Sequence, residues 1–300
     1  MTTPAWHAGE VALQQRVGSA ERLAAAGPRV LRDHMPDQHR EFFAELPFVL
    51  AGTLDAQGQP WASVLAGRPG FAHSPEPHLL RVDAAPLRHD PLDGAIADGM
   101  AIGLLGIQHH TRRRNRMNGW VRDSGPGGFT VEVGQSFGNC PKYIDPREFR
   151  HAPPGAAPAE VTEGEHLDEA ARAIVRAATT FYIATAHPRA RDSSDPAEGV
   201  DVSHRGGPAG FVRIGREGEL LVPDYLGNAF FNTLGNLQLE PRCGLLFLDA
   251  ARRQRLYLAA TASLQWDGPE VAAIPGAQRL LKLRITAARR VSGGLPLAQL

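Results

Sequence analysis

Pro47–Thr53 reads PFVLAGT, and Thr180–Ala186 reads TFYIATA. Both are short runs rich in Val, Ile, Phe or Tyr, the composition of a buried strand. Each follows an amphipathic helical stretch, QHREFFAEL (38–46) before the first and EAARAIVRAAT (169–179) before the second. Asp37 and Asp168 stand where those helices need an N-cap. The correspondence continues downstream. A turn at Asp55–Gly58 and a strand at Trp61–Leu65 follow the first run. A longer loop, His187–Gly199, and a strand beginning near Val200 follow the second. GLLGI (103–107) parallels GLLFL (244–248), each leading into an arginine-rich link, HHTRRRNR (109–116) or DAARRQR (249–255). A further strand then follows, near Met117–Val121 and Leu256–Ala262. One β-rich unit is therefore used twice.

The repeat sets the domain boundaries. Residues 1–36 form an N-terminal helical segment, with a helix over Glu10–Gly27 expected to pack on the first unit. Residues 37–150 are the first unit, 151–166 a linker, and 167–300 the second unit. The linker contains HAPPGAAPA (151–159), which is without periodicity and whose prolines supply no ladder donors. Many short strands joined by turns favour a barrel over an open sheet, because closure removes exposed edges. The expected class is mainly β (α+β): tandem barrels with flanking helices.

Composition narrows the function classes. Lys+Arg and Asp+Glu number 32 each, for a formal net charge of zero, so the basic excess of a nucleic-acid binder is missing. No apolar run approaches the roughly 18 residues that span a bilayer, and Met1–Glu10 has no secretory pattern. Two cysteines, Cys140 and Cys243, make neither a disulfide framework nor a zinc site. A cytoplasmic protein with reduced thiols is expected.

Two segments carry more polar and aromatic chemistry than packing requires. DVSHRGGPAG (201–210) places Ser203, His204 and Arg205 at a strand end before a Gly-Gly turn. A guanidinium there offers a planar fork of donors to a phosphate or carbonyl edge, and the glycines allow close approach. An ordinary hairpin with surface polar residues explains this segment equally well. PDYLGNAFFNTLGN (223–236) sets Asp224, Asn228, Asn232, Thr233 and Asn236 among Tyr225, Phe230 and Phe231. Amides and hydroxyls beside aromatics suit a flat heteroaromatic ligand with a polar tail. Helical spacing from Asn228 to Leu239 puts Asn232 and Asn236 on one face. A third segment, QSFGNCPKYI (135–144), offers Ser136, Asn139 and Lys142 to a ligand held by the other half, with Cys140 read as structural. His109-His110 with Arg112–Arg114 reads as a solvated hairpin. No HExxH, GxGxxG or Gly-x-Ser-x-Gly pattern supports a metal, a dinucleotide fold or a nucleophile elbow.

On DVSHRGG, PDYLGNAFFNTLGN and SFGNCPKYI together, the chain resembles the larger, two-unit members of the pyridoxamine 5′-phosphate oxidase-like superfamily of FMN-binding split barrels. The resemblance runs from about Glu41 to Val291. It implies FMN, with Ser203, His204 and Arg205 on the strand against the isoalloxazine and a second barrel covering the ring. It implies an oxidoreductase acting on a small molecule, with Arg205 stabilising negative charge on the reduced ring and His204 as a proton donor or a structural group. A flavin carrier, a haem protein with a His ligand, or binding of the deazaflavin F420 are the alternatives. Two departures stand out. Asn232 and Thr233 occupy the places of an Arg-Lys pair for the phosphate, leaving that group to Arg205 or other arginines. The ending ARRVSGGLPLAQL lacks Arg-Leu-x-Pro, so vitamin B6 oxidation does not follow. A homodimer is expected, as closed two-fold pairing is common.

Overall fold

A computed structural model describes residues 5–155 and 158–300. Two helices, α1 (Ala8–Arg16) and α2 (Ala20–Val30), open the chain, and α3 (Asp37–Ala44) leads into the first unit. That unit comprises β1 (Phe48–Leu54), β2 (Pro60–Ala66), β3 (Ala72–His73), β4 (Leu79–Val82), β5 (Ala101–Gln108), β6 (Arg113–Gly125) and β7 (Gly128–Gly138). Short strands β8 (Phe149–His151) and β9 (Glu160–Gly164) bridge to α4 (Glu169–Ala177). The second unit holds β10 (Thr180–Ala186), β11 (Val200–Gly206), β12 (Arg213–Ile214), β13 (Leu220–Tyr225), α5 (Asn232–Leu239), β14 (Arg242–Asp249) and β15 (Gln254–Gln265). It ends with α6 (Pro269–Ala272), β16 (Ala277–Ser292) and β17 (Leu297–Gln299).

The sheets repeat one topology. The first is seven-stranded in the order β2-β1-β5-β6-β7-β4-β3; the second runs β11-β10-β14-β15-β16-β13-β12, with β9 added along β16. All pairings are antiparallel. The register repeats too: Ala51 faces Ser63 and Gly52 faces Gly103, while Ile183 faces Ser203 and Ala184 faces Gly244. The fold is mainly β, with one barrel-type unit built twice.

Each unit has its own core, and a third lies between them. Phe48, Leu50, Val64 and Leu105 of the first unit meet Tyr182, Val202, Leu246 and Tyr257 of the second, all fully or nearly fully buried. Gly103 and Gly244 explain themselves here. A Cβ on Gly103 would collide with the Val200 carbonyl, and one on Gly244 with the Pro60 carbonyl. The missing side chains let each unit's backbone approach the other's.

Five expectations need correction. The N-terminal helix is two helices, because Gly18 takes a left-handed φ of 69° that ends α1. α1 packs on α5 of the second unit, where a Cβ on Gly9 would overlap the Gly235 carbonyl. The linker contains β9, which pairs Glu160–Gly164 with Ser292–Ala288 and covers an edge that β13 leaves free; Ala156 and Ala157 of that linker lie outside the described residues. α5 starts at Asn232 rather than Asn228, since Ala229 and Phe231 hold left-handed backbone. Asp168 caps α4 by accepting from the Ala171 amide at 2.6 Å, but α3 begins at Asp37 itself, with no side-chain cap.

Candidate functional site

Strand period places the first group. Arg114, Arg116 and Asn118 alternate along β6 and share a face, as do Asp201 and Ser203 on β11. The inter-unit interface brings the two faces together. Arg116 Nη1 and Asn118 Nδ2 donate to Asp201 Oδ1 at 2.9 and 2.8 Å, and Arg116 Nη2 donates to Ser203 Oγ. Asn236 Nδ2 reaches Asp201 Oδ2 at 2.9 Å, and Thr233 Oγ1 donates to Ser203 Oγ at 2.7 Å. This buried network ties β6 of one unit to β11 and α5 of the other. It forms the floor of the site.

Above that floor lies a cavity of about 440 Å³. His204 forms part of its wall. Its Nδ1 lies 3.2 Å from Arg114 Nη1, and its Nε2 lies 3.4 Å from Thr180 Oγ1. A guanidinium only donates, so Nδ1 accepts and the proton sits on Nε2. Burial, with Arg114, His109 and Arg205 nearby, holds the imidazole well below its ordinary pKa, so it stays neutral. Arg205 pairs with Asp224, whose other oxygen is 3.4 Å from Arg279 Nε. The Arg279 guanidinium lies against Phe231 and Trp266, 5.1 and 4.5 Å from the ring centres. Burial lowers the Arg114 pKa to about 10, which leaves it charged at neutral pH.

Aromatic side chains close one side of the opening. Tyr143 and Tyr225 stack with centroids 5.2 Å apart, and the Tyr143 hydroxyl donates to the Leu226 carbonyl at 3.2 Å. Tyr143, Ala229 and Phe231, all on the cavity wall, have φ of 64°, 63° and 66°. Left-handed backbone in residues with side chains costs on the order of 1–3 kcal/mol each and collects at ligand clamps.

The cavity gathers most of the residues singled out in the sequence. Ser203, His204, Arg205, Asp224, Tyr225, Asn228, Phe231, Asn232, Thr233, Asn139 and Lys142 all line it. Ser136 and Asn236 do not. Ser136 Oγ is 2.8 Å from His39 Nδ1 behind the first unit, and Asn236 sits in the floor network. Asn232 Nδ2 also reaches back to Glu10 Oε1 at 2.6 Å, so α1 buttresses the wall. Cys140 lines the cavity as a free thiol.

Sequence reading missed Arg116, Asn118, Asp201 and Arg279. It also discounted the arginine run as a solvated hairpin. That reading holds for exposed His110, Arg112 and Arg113 and fails for His109, which is buried, and for Arg114, which the strand turns inward as it does Arg116 two residues on. The alternation in RRRNRMN was the available signal.

The donor set tests whether a flavin nucleotide fits. The Nε atoms of Arg114 and Arg205, Nη1 of Arg279 and Nδ2 of Asn139 are buried without a hydrogen-bond partner among the described residues. Unpaired buried donors beside a cavity suit an acceptor-rich ligand; Arg116 Nε and the Oδ1 atoms of Asn118 and Asn236 in the floor are unpaired as well. A phosphate, or the carbonyls and ring nitrogens of an isoalloxazine, supply such acceptors. No group of three or more His, Cys, Asp or Glu among the described residues is placed to hold a metal ion. No described helix is long and apolar enough to cross a membrane.

No family model matches the chain, and no curated protein matches it. Among solved structures it is similar to a putative pyridoxamine 5′-phosphate oxidase from Lactobacillus delbrueckii, at 17% identity and a TM-score of 0.32, over 42% of this chain and 94% of that one. It is also similar to a FAD-binding protein from Mesorhizobium loti, at 11% identity and a TM-score of 0.27, over 44% of this chain and 98% of the other. A third is the haem storage protein HutZ from Vibrio cholerae, at 14% identity and a TM-score of 0.25, over 44% and 93%. Each match is local, covering under half of this chain.

Proposed function

We propose that the chain binds FMN in the cavity between its two units and acts as a flavin-dependent oxidoreductase on a small molecule. The observation that carries this reading is the convergence of unpaired buried arginine and amide donors beneath an aromatic opening. Arg114 of the first unit, with Asn139, is the group that would hold an anionic end of the cofactor, while exposed Lys142 stands at the rim. Arg205 would face the electron-rich ring edge, its charge partly balanced by Asp224. Bound flavin supplies the hydride and electron chemistry; the protein orients it and shields it from water. His204 enters as a neutral hydrogen-bonding group that positions Arg114. A proton-donor role would need a pKa near the working pH, and burial places this imidazole far from it. Haem ligation through His204 would need a free ring nitrogen, whereas both of its nitrogens face protein partners. A homodimer remains our proposal for the assembly, as closed two-fold pairing is common.

The test is an absorption spectrum of the purified protein, followed by titration with FMN, F420 and haem. Flavin peaks, or saturable FMN uptake abolished by Arg114→Gln, would support the reading. A colourless protein that quenches no FMN fluorescence would overturn it. FMN binding without turnover against nicotinamide or oxygen would leave a flavin carrier.

A further inference from the structure

The mouth of the cavity has a different character from its floor. Among the described residues, six large hydrophobic side chains are exposed, and three of them stand at this one opening: Val17 (40%), Tyr143 (43%) and Leu226 (61%). They come from three separate segments: the end of α1, the stretch after β7 and the stretch after β13. All three line the same cavity, with the Tyr143 hydroxyl on the Leu226 carbonyl, and exposed apolar side chains gathered at a cavity mark a binding surface. Two exposed cations, Arg22 and Lys142, stand on the same rim, and neither is in an ion pair among the described residues. Among the described residues the one carboxylate on the cavity wall, Asp224, is buried and already neutralised by Arg205 and Arg279. The opening therefore presents apolar surface and positive charge together, with no free negative group.

A flavin nucleotide would take up most of a cavity of this size, so a second reactant meets it from the mouth. We infer that this second reactant is an amphipathic organic anion. Its apolar arm lies on Val17, Tyr143 and Leu226, and its carboxylate or phosphate pairs with Arg22 and Lys142. This rests on the flavin reading for what happens after binding, but the rim's selectivity is a property of the chain alone. Apolar contact supplies the dependence on arm length, and the two cations supply the sign.

The experiment is calorimetric titration of the full-length protein, with and without FMN, using hexanoate, decanoate, decanol and decyltrimethylammonium as probes. Decanoate should bind about tenfold more tightly than hexanoate and at least tenfold more tightly than decyltrimethylammonium. Leu226→Ser combined with Val17→Ser should remove most of the chain-length effect. Arg22→Glu should weaken decanoate severalfold while leaving decanol unchanged. Circular dichroism of each variant establishes that it is folded. Equal affinity for the anionic and cationic probes, no dependence on chain length, or wild-type affinity in the double-serine variant would each overturn the inference. Failure to take up FMN sinks the flavin reading separately, because the probe series is read on the unloaded protein as well.

Discussion

Asp201→Asn tests the network on which the site rests. Asp201 accepts three hydrogen bonds, from Arg116 and Asn118 of the first unit and Asn236 of α5. The Arg116 side chain is 4% exposed and that of Asp201 10%, so water does little to screen either. The substitution keeps the shape and removes the charge. It leaves Arg116 as a buried cation without a counter-charge and points an amide NH2 at groups that are themselves donors. Breaking a buried pair from one side costs about 3–5 kcal/mol. With an unfolding entropy of about 2.1 cal/mol/K per residue over a chain of this length, the melting temperature should fall by roughly 5–8 °C. The assay is thermal unfolding followed by circular dichroism, with FMN uptake measured on the same samples. Because the pair joins β6 to β11, loss of uptake should accompany loss of stability. Arg116→Gln combined with Asp201→Asn should cost less than the sum of the single changes, since the stranded charge is then gone. A melting temperature within about 1 °C of wild type for Asp201→Asn, or strictly additive losses, would refute the reasoning.

Burial pushes the Asp90 carboxyl up to about 6, against hydrogen bonds from Leu92, Ser63 and Tyr257. A raised carboxyl favours the fold while protonated: its contribution is full below about pH 4 and is lost as pH rises through about 6. The stability of wild type relative to Asp90→Asn should therefore fall by roughly 2 kcal/mol between pH 4 and 7, measured by urea unfolding; a pH-independent difference would contradict it. His204 should show ring nitrogen shifts that stay flat from pH 5.5 to 8 by NMR, and a midpoint near 6.5 would disprove its burial among cations. Gly235→Val inserts a side chain into the Glu10 backbone, so it should destabilise by about 1–3 kcal/mol and lower FMN uptake by displacing Asn232. Wild-type melting and uptake in that variant would show that α1 does not buttress the site.

The repeat and its strands were legible because they rest on local chemistry: apolar runs, turn residues and paired glycines recur at matching places. Ser203 to Arg205 and the Asn-rich segment were legible as composition. What escaped depends on tertiary choice. Arg114 and Arg116 alternate as any strand residues do, and nothing local says which face the other unit will cover. β9 has every residue exposed and no apolar alternation, so it exists only because an edge of β16 was free. α1 has no distinct apolar stripe; Gly9 against Gly235 decides where it lies, and no single helix reveals its partner. Ser136 misled because it is buried among first-unit groups facing away from the interface.

The internal symmetry makes one further demand, which concerns how many ligands the chain holds. The matched registers make Ser63 the counterpart of Ser203, Tyr257 of Arg116 and Arg255 of Arg114. The scaffold of a second site therefore exists against the first unit. Its wall does not. Val64 and Leu65 stand where the working cavity has His204 and Arg205, and both are fully buried. Arg255 and Tyr257 are also sealed, and the connection between β4 and β5 sends in Asp90, which accepts from Ser63 and Tyr257 at 2.7 Å each. A carboxylate of the chain itself has taken up the donors that remain. Duplication has kept the frame on both sides and a cavity on one, so each chain should take up one FMN. Equilibrium dialysis against protein of known concentration measures this, and two sites of comparable affinity per chain would mean that the sealed side opens.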